Sequence, residues 1–154
     1  MLTDAEKHEI DEELAHYDDK RAMQIDALKI VQRHRGWISD EALRDVAEYL
    51  GFSTAELDGV ATFYNLMHRK PVGRHVIWVC NSVSCWIMGF NSVRDYLISR
   101  LSVPLGGTTQ DGRFTLLPIV CLGACDLAPA MMVDEDLHGL LTPEKIDAIL
   151  ERYG

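Results

Sequence analysis

The stretch HVIWVCNSVSCWIMG, residues 75–89, sets a short β-branched and aromatic run directly in front of two cysteines five positions apart. Val76 to Val79 read as a buried strand, too short for a helix of the same apolarity. The residues that follow continue the pattern: NSVRDYLISRL (91–101) is helical, and GRFTLLPIV (112–120), after the polar TTQD, reads as a second strand. Two more cysteines, Cys121 and Cys125, stand directly behind that second strand. This is a β-α-β order. If its strands lie parallel and adjacent, their C-terminal ends bring both cysteine pairs to one edge of the sheet.

Beyond the second pair, AMMVDE (130–135) and HGLL (138–141) are strand candidates joined by an acidic turn, and TPEKIDAILERYG (142–154) is a final helix capped by Thr142 with Pro143 at its first position. The C-terminal half is therefore expected to be a small β-α-β-β-β-α layer. Upstream, the periodicity is helical. Ile10, Leu14 and Tyr17 mark one amphipathic helix, and Met23, Ala27, Ile30 and Val31 a second that Gly36 stops. Ser39 is placed as an N-cap, with Ile38 and Leu43 as a hydrophobic staple, for a helix ending at Gly51. Ser53 with Glu56 reads as a capping box and Phe52 with Leu57 as a staple for the helix TAELDGVATFYNLMH (54–68). Pro71-Val72-Gly73 separates the two characters. The expected organisation is α+β, with a helical subdomain over 1–72 and an α/β domain over 73–154.

The composition narrows the function. The 154 residues carry 24 acidic against 15 basic side chains, a formal charge of -9, and the basic residues are scattered in pairs such as Arg33 with Arg35 and Arg69 with Lys70. No basic patch for nucleic acid or anionic lipid is legible. The acidic start, MLTDAEKHEIDEELAHYDDK, lacks the apolar run of a signal peptide, so a cytoplasmic, reducing setting is expected. Residues 76–93 carry no charge, but polar residues and two cysteines interrupt them, and no transmembrane helix is read there.

In a reducing compartment, four convergent thiolates repel unless a cation holds them. Zinc favours tighter knuckles, although spacings up to four occur. An iron-sulfur cluster tolerates wider loops, and C-x4-C is an element of [2Fe-2S] spacing. The small or polar residues Asn81, Ser82, Ser84, Gly123 and Ala124 would let backbone N–H groups approach sulfur, and the dipole of a helix beginning just after Cys85 would act in the same sense. A pair of disulfides is disfavoured by the compartment.

GRHVIWVCNSVSC, DGRFTLLPIVCLGACDLAPAMMVDED and LTPEKIDAILERYG, with GVATFYN upstream, closely resemble the E subunits of bacterial NADH:quinone oxidoreductase, respiratory complex I, a group of thioredoxin-like [2Fe-2S] ferredoxins. The likeness runs from about residue 20 to the end, and relatives occur in NAD-dependent formate dehydrogenases and NAD-reducing hydrogenases. The resemblance implies a thioredoxin-like domain whose Cys80, Cys85, Cys121 and Cys125 ligate the iron of one [2Fe-2S] cluster. It implies an electron-transfer role without catalytic residues on this chain, FMN and NADH on a partner F subunit, and attachment to the inner membrane through the complex. A zinc-stabilised thioredoxin-like binding module is the alternative of another class.

The remaining residues read more plainly. PLGGTTQDG (104–112) lacks the G-x-G-x-x-G spacing and is expected to be a loop without nucleotide. Pro129 stands where thioredoxin-like folds often place a cis-proline. His8, His16 and His34 read as solvated, and His75 or His138 as structural, with one of them a candidate hydrogen-bond partner near the cluster. Phe63 and Tyr64 read as core and, with Trp86, as candidates for an interface. VDEDLH (133–138) reads as a solvated turn, without calcium.

Overall fold

The computed structural model describes residues 1–154, which divide into two compact units, Met1–Pro71 and Val72–Gly154. The first is helical: α1 (Asp4–Leu14), a 3-10 turn (Lys20–Met23), α2 (Gln24–Arg35), α3 (Asp40–Leu50) and α4 (Thr54–Phe63). Local chemistry sets its ends. Ser39 Oγ accepts from the Ala42 N–H at 3.0 Å, and α2 and α3 stop at Gly36 and Gly51, both in the left-handed region at φ 80°. At α4 only half of the expected box forms, because Ser53 accepts from the Glu56 N–H while the Glu56 carboxylate turns to the Gln24 amide. The full reciprocal box is at Thr3 and Glu6. The expected apolar stripes close the core: Ile10, Met23, Ala27, Ile30 and Val31 are all buried with Ile38, Leu43 and Val46.

Two expectations in this unit fail. α4 ends at Phe63 rather than at His68, and the segment after it is fixed by Arg69, which donates to the Ile38 carbonyl and pairs with Asp40 and Asp58. Phe63 and Tyr64 are not core: Phe63 is 78 % exposed, and the two rings meet edge to face at 5.1 Å.

The second unit runs β1 (His75–Cys80), α5 (Val83–Ile87), α6 (Phe90–Leu101), β2 (Phe114–Ile119), a 3-10 turn (Cys125–Leu127), β3 (Met131–Val133), β4 (Asp136–His138) and α7 (Pro143–Arg152). The sheet order is β2-β1-β3-β4, with β1 and β2 parallel and both β3 and β4 pairing antiparallel to their neighbours. The two-residue period of β1 sorts its side chains. Ile77 and Val79 pack with α6 and α7 through Val93, Leu97, Ile146 and Ile149. Val76, Trp78 and Cys80 face the other side, where Cys85, Ala124, Ala128 and Ala130 cover them.

The last strand is DLH rather than HGLL, because β4 is an edge held by register with β3, and Leu140 leaves it with φ 52° to donate its N–H to the Leu127 carbonyl. Gly139 permits that approach, since a Cβ there would lie 2.3 Å from Leu127 Cβ. The acidic turn is docked rather than merely solvated: Asp134 accepts from the Val76 N–H at 2.8 Å and bonds the His75 ring at 2.7 Å. The 104–112 segment folds back on β2, where Thr108 meets Thr115 at 2.8 Å. The Ala128–Pro129 bond is cis. No helix is long and apolar enough to cross a membrane.

A candidate four-thiolate centre

The register of β1 on β2 pairs Cys80 with Ile119, so the strands end level, and the cysteine-bearing loops leave from the same end of the sheet. Cys80 is the last residue of β1 and donates its N–H to the Ala130 carbonyl at 3.1 Å, while Asn81 donates to the Ile119 carbonyl at 3.0 Å. These bonds tie the first cysteine loop to the segment that follows the second pair and to the end of β2 just before it. Cys85 sits inside α5, which Gly89 at φ 116° separates from α6. The helix expected to begin just after Cys85 starts at Phe90 instead.

All four cysteines are free thiols, and they are unequal. Cys80 and Cys85 are 3 % and 2 % exposed, whereas Cys121 and Cys125 lie in solvent. Burial pushes the Cys85 thiol up to about 11; the Ala130 N–H pulls it back, and the hydrogen bond to Cys80 and the charges of Cys80 and Cys125 raise it further. That coupling places Cys85 beside one cysteine of each pair. At the second pair, Gly123, in the left-handed region at φ 73°, donates its N–H to Cys121 Sγ at 3.3 Å. The sulfur of Cys121 thus receives a backbone donor, the kind of contact that stabilises a thiolate ligand.

The histidines stay apart from the sulfurs in their bonding. His75 stands at the opposite end of β1, bonded to Asp134. His138 has a buried Nε2 without a partner, and burial lowers its pKa. His8, His16 and His34 belong to the helical unit, where His34 is bonded to Glu9 at 2.8 Å. Trp86 is exposed on α5. Sequence reasoning missed the Ala130 carbonyl that accepts from Cys80, because its approach depends on how the 125–130 segment returns to β1, and no local pattern records that.

A mixed sheet with its parallel pair at β1–β2, helices α6 and α7 on one face, and four thiols at one end defines a thioredoxin-like fold adapted to hold a metal centre. The chain belongs to the thioredoxin-like [2Fe-2S] ferredoxin family, whose profile matches residues 10–154. As a member it carries one [2Fe-2S] cluster; four free cysteines are the chemistry such a group takes, although no three cysteine, histidine or carboxylate side chains stand close enough together in this structure to hold a metal ion. Among curated relatives, the NADH-quinone oxidoreductase E subunit of Escherichia coli K12 is 52 % identical over 152 residues, covering 99 % of this chain and 92 % of that one. Its counterpart in Pseudomonas aeruginosa is 49 % identical over 153 residues, with the same coverages. Among solved structures, an NAD+-reducing [NiFe]-hydrogenase in its air-oxidised state superposes with a TM-score of 0.70 over 82 % of this chain and 22 % of that one, at 23 % identity, a likeness of fold.

Proposed function

We propose that this chain is the electron-carrying E-type subunit of an NADH:quinone oxidoreductase, the respiratory complex I of bacteria. The observation that carries the reading is that identity to the Escherichia coli relative extends over 99 % of the chain, through the helical unit as well as the cysteine unit. An iron-sulfur module shared by chance of fold would need only the second. In this reading residues 1–72 form a helical domain and residues 73–154 the cluster domain.

Cys80, Cys85, Cys121 and Cys125 are the ligands of the cluster. When bound, a [2Fe-2S] cluster supplies a one-electron couple. This chain's own part is to hold two thiolates under the sheet end and two at its surface, and to aim the Gly123 N–H at the Cys121 sulfur, which favours the charged ligand. FMN and NADH belong to a partner F subunit. The protein works on the cytoplasmic side, joined to the inner membrane through the rest of the complex.

The likeness to the NAD+-reducing hydrogenase supports a second assignment, to the equivalent small module of such an enzyme, which the partner that co-purifies would reveal. Iron analysis of single Cys→Ala variants tests the ligand set. Each of the four is expected to lose most of its iron and to loosen the second unit. A Cys121→Ala protein with full iron content would overturn the assignment.

A further inference from the structure

Tyr153, the residue that ends α7, stands between two histidines of the sheet. Its ring lies edge-on to His75 of β1 at 5.2 Å and to His138 of β4 at 6.5 Å. Its hydroxyl donates to Asp136 Oδ2 at 2.6 Å, which ties the end of the helix to β4. Burial, with that bond next, pushes the phenol up to about 12, so Tyr153 remains a donor throughout the range in which histidines titrate.

His138 is the weak point of this arrangement. Its Nε2 is buried without a hydrogen-bond partner, which a neutral imidazole tolerates and a charged one does not, because protonation places an N–H on both ring nitrogens. Burial lowers its pKa; Asp136 on its own strand opposes that shift, and Arg152 and Lys145 of α7 add to it. Asp136 stands two residues before it, on the same face of β4. A ring that takes a proton and turns outward therefore meets the carboxylate that receives the Tyr153 hydroxyl, and brings an ion-pair attraction that a neutral phenol lacks.

We propose that Asp136 is a shared acceptor that changes partner with pH: neutral His138 leaves it to Tyr153 and the end of α7 is latched, while protonated His138 takes it and the end of α7 is released. His75 does not compete, because Asp134 already holds its ring at 2.7 Å. The latch is independent of the cluster and uses only side chains of the second unit. Because His138 in place binds its proton less readily than the ordinary 6.5, the latch is complete above that pH and weakens below it, by at most about tenfold per pH unit for one proton.

The test uses the full-length, cluster-loaded chain, whose visible spectrum reports that the cysteine end is unchanged at each pH. Hydrogen-exchange protection of the amides of residues 149–153 is expected to fall about tenfold from pH 7.5 to pH 5.5. His138→Phe, aromatic and without a proton to take, is expected to reduce that change to less than about twofold, and Tyr153→Phe to give low protection at both pH values. Imidazole NMR of the wild-type chain adds a readout that needs no variant: His138 is expected to titrate below 6.5, with the Tyr153 ring signals moving in the same step. Wild-type protection that changes by less than about twofold, or Tyr153 signals that do not follow His138, would overturn the inference. So would a folded His138→Phe chain that keeps the whole pH-dependent loss.

Discussion

Glu6 is the most deeply buried carboxylate of the chain, at 1 % exposure, and Arg35 grips it through both Nε (2.6 Å) and an Nη (2.8 Å). The Arg35 bond holds its pKa at about 2 against the opposing cost of burial, with Thr3 assisting. Because the folded value lies below the ordinary 4.5, the ionised form contributes about 3 kcal/mol at neutral pH. That contribution is complete above pH 4.5 and fades as the pH falls toward 2. Urea unfolding of Glu6→Gln is expected to show a loss of about 3 kcal/mol at pH 7 that shrinks below pH 4.5. An equal loss at pH 7 and pH 3 would show that the carboxylate's charge is not what stabilises. Thr3-x-x-Glu6 has the form of a cap pattern, but nothing near it in sequence points to the bond with Arg35, 29 residues away. The same holds for Asp134, whose place in an acidic turn gives no sign that it caps the first residues of β1.

At the scale of elements, what depends on local chemistry is legible. Ser39, Gly36, Gly51, Thr142 and Pro143 mark helix ends from their own side chains or conformations, and β1 declares itself by an apolar run buried on both faces. Ser39→Ala removes the acceptor of the Ala42 N–H and is expected to cost about 1 kcal/mol in thermal unfolding, while Ser39→Asp retains most of it. An unchanged midpoint in Ser39→Ala would show that α3 is held by packing alone. What depends on partners across the fold is not legible. β4 is a polar three-residue edge that exists only through pairing with β3, and α5, which no local pattern announces, conceals one cysteine while Val83, Trp86 and Ile87 stay exposed. The end of α4 is set by Arg69 reaching back to Ile38 and Asp58, again a long-range cause.

At the scale of the molecule, one topological fact organises the site. A parallel β1–β2 pair ending in register carries two cysteine pairs, with 35 residues between them in sequence, to one end of one sheet. This convergence follows from strand order alone. The unequal burial of the two pairs does not, since Cys80 ends β1 and Cys85 is the buried residue of α5, while Cys121 and Cys125, the latter opening a 3-10 turn, stay exposed. That inequality leaves the second pair of thiols open to solvent while the first is covered. The central claim is that these four thiols hold a two-iron cluster. Protein purified without oxygen should contain two irons and two acid-labile sulfides per chain and show reddish-brown charge-transfer absorption that dithionite bleaches. A colourless, folded preparation with one zinc per chain would contradict it.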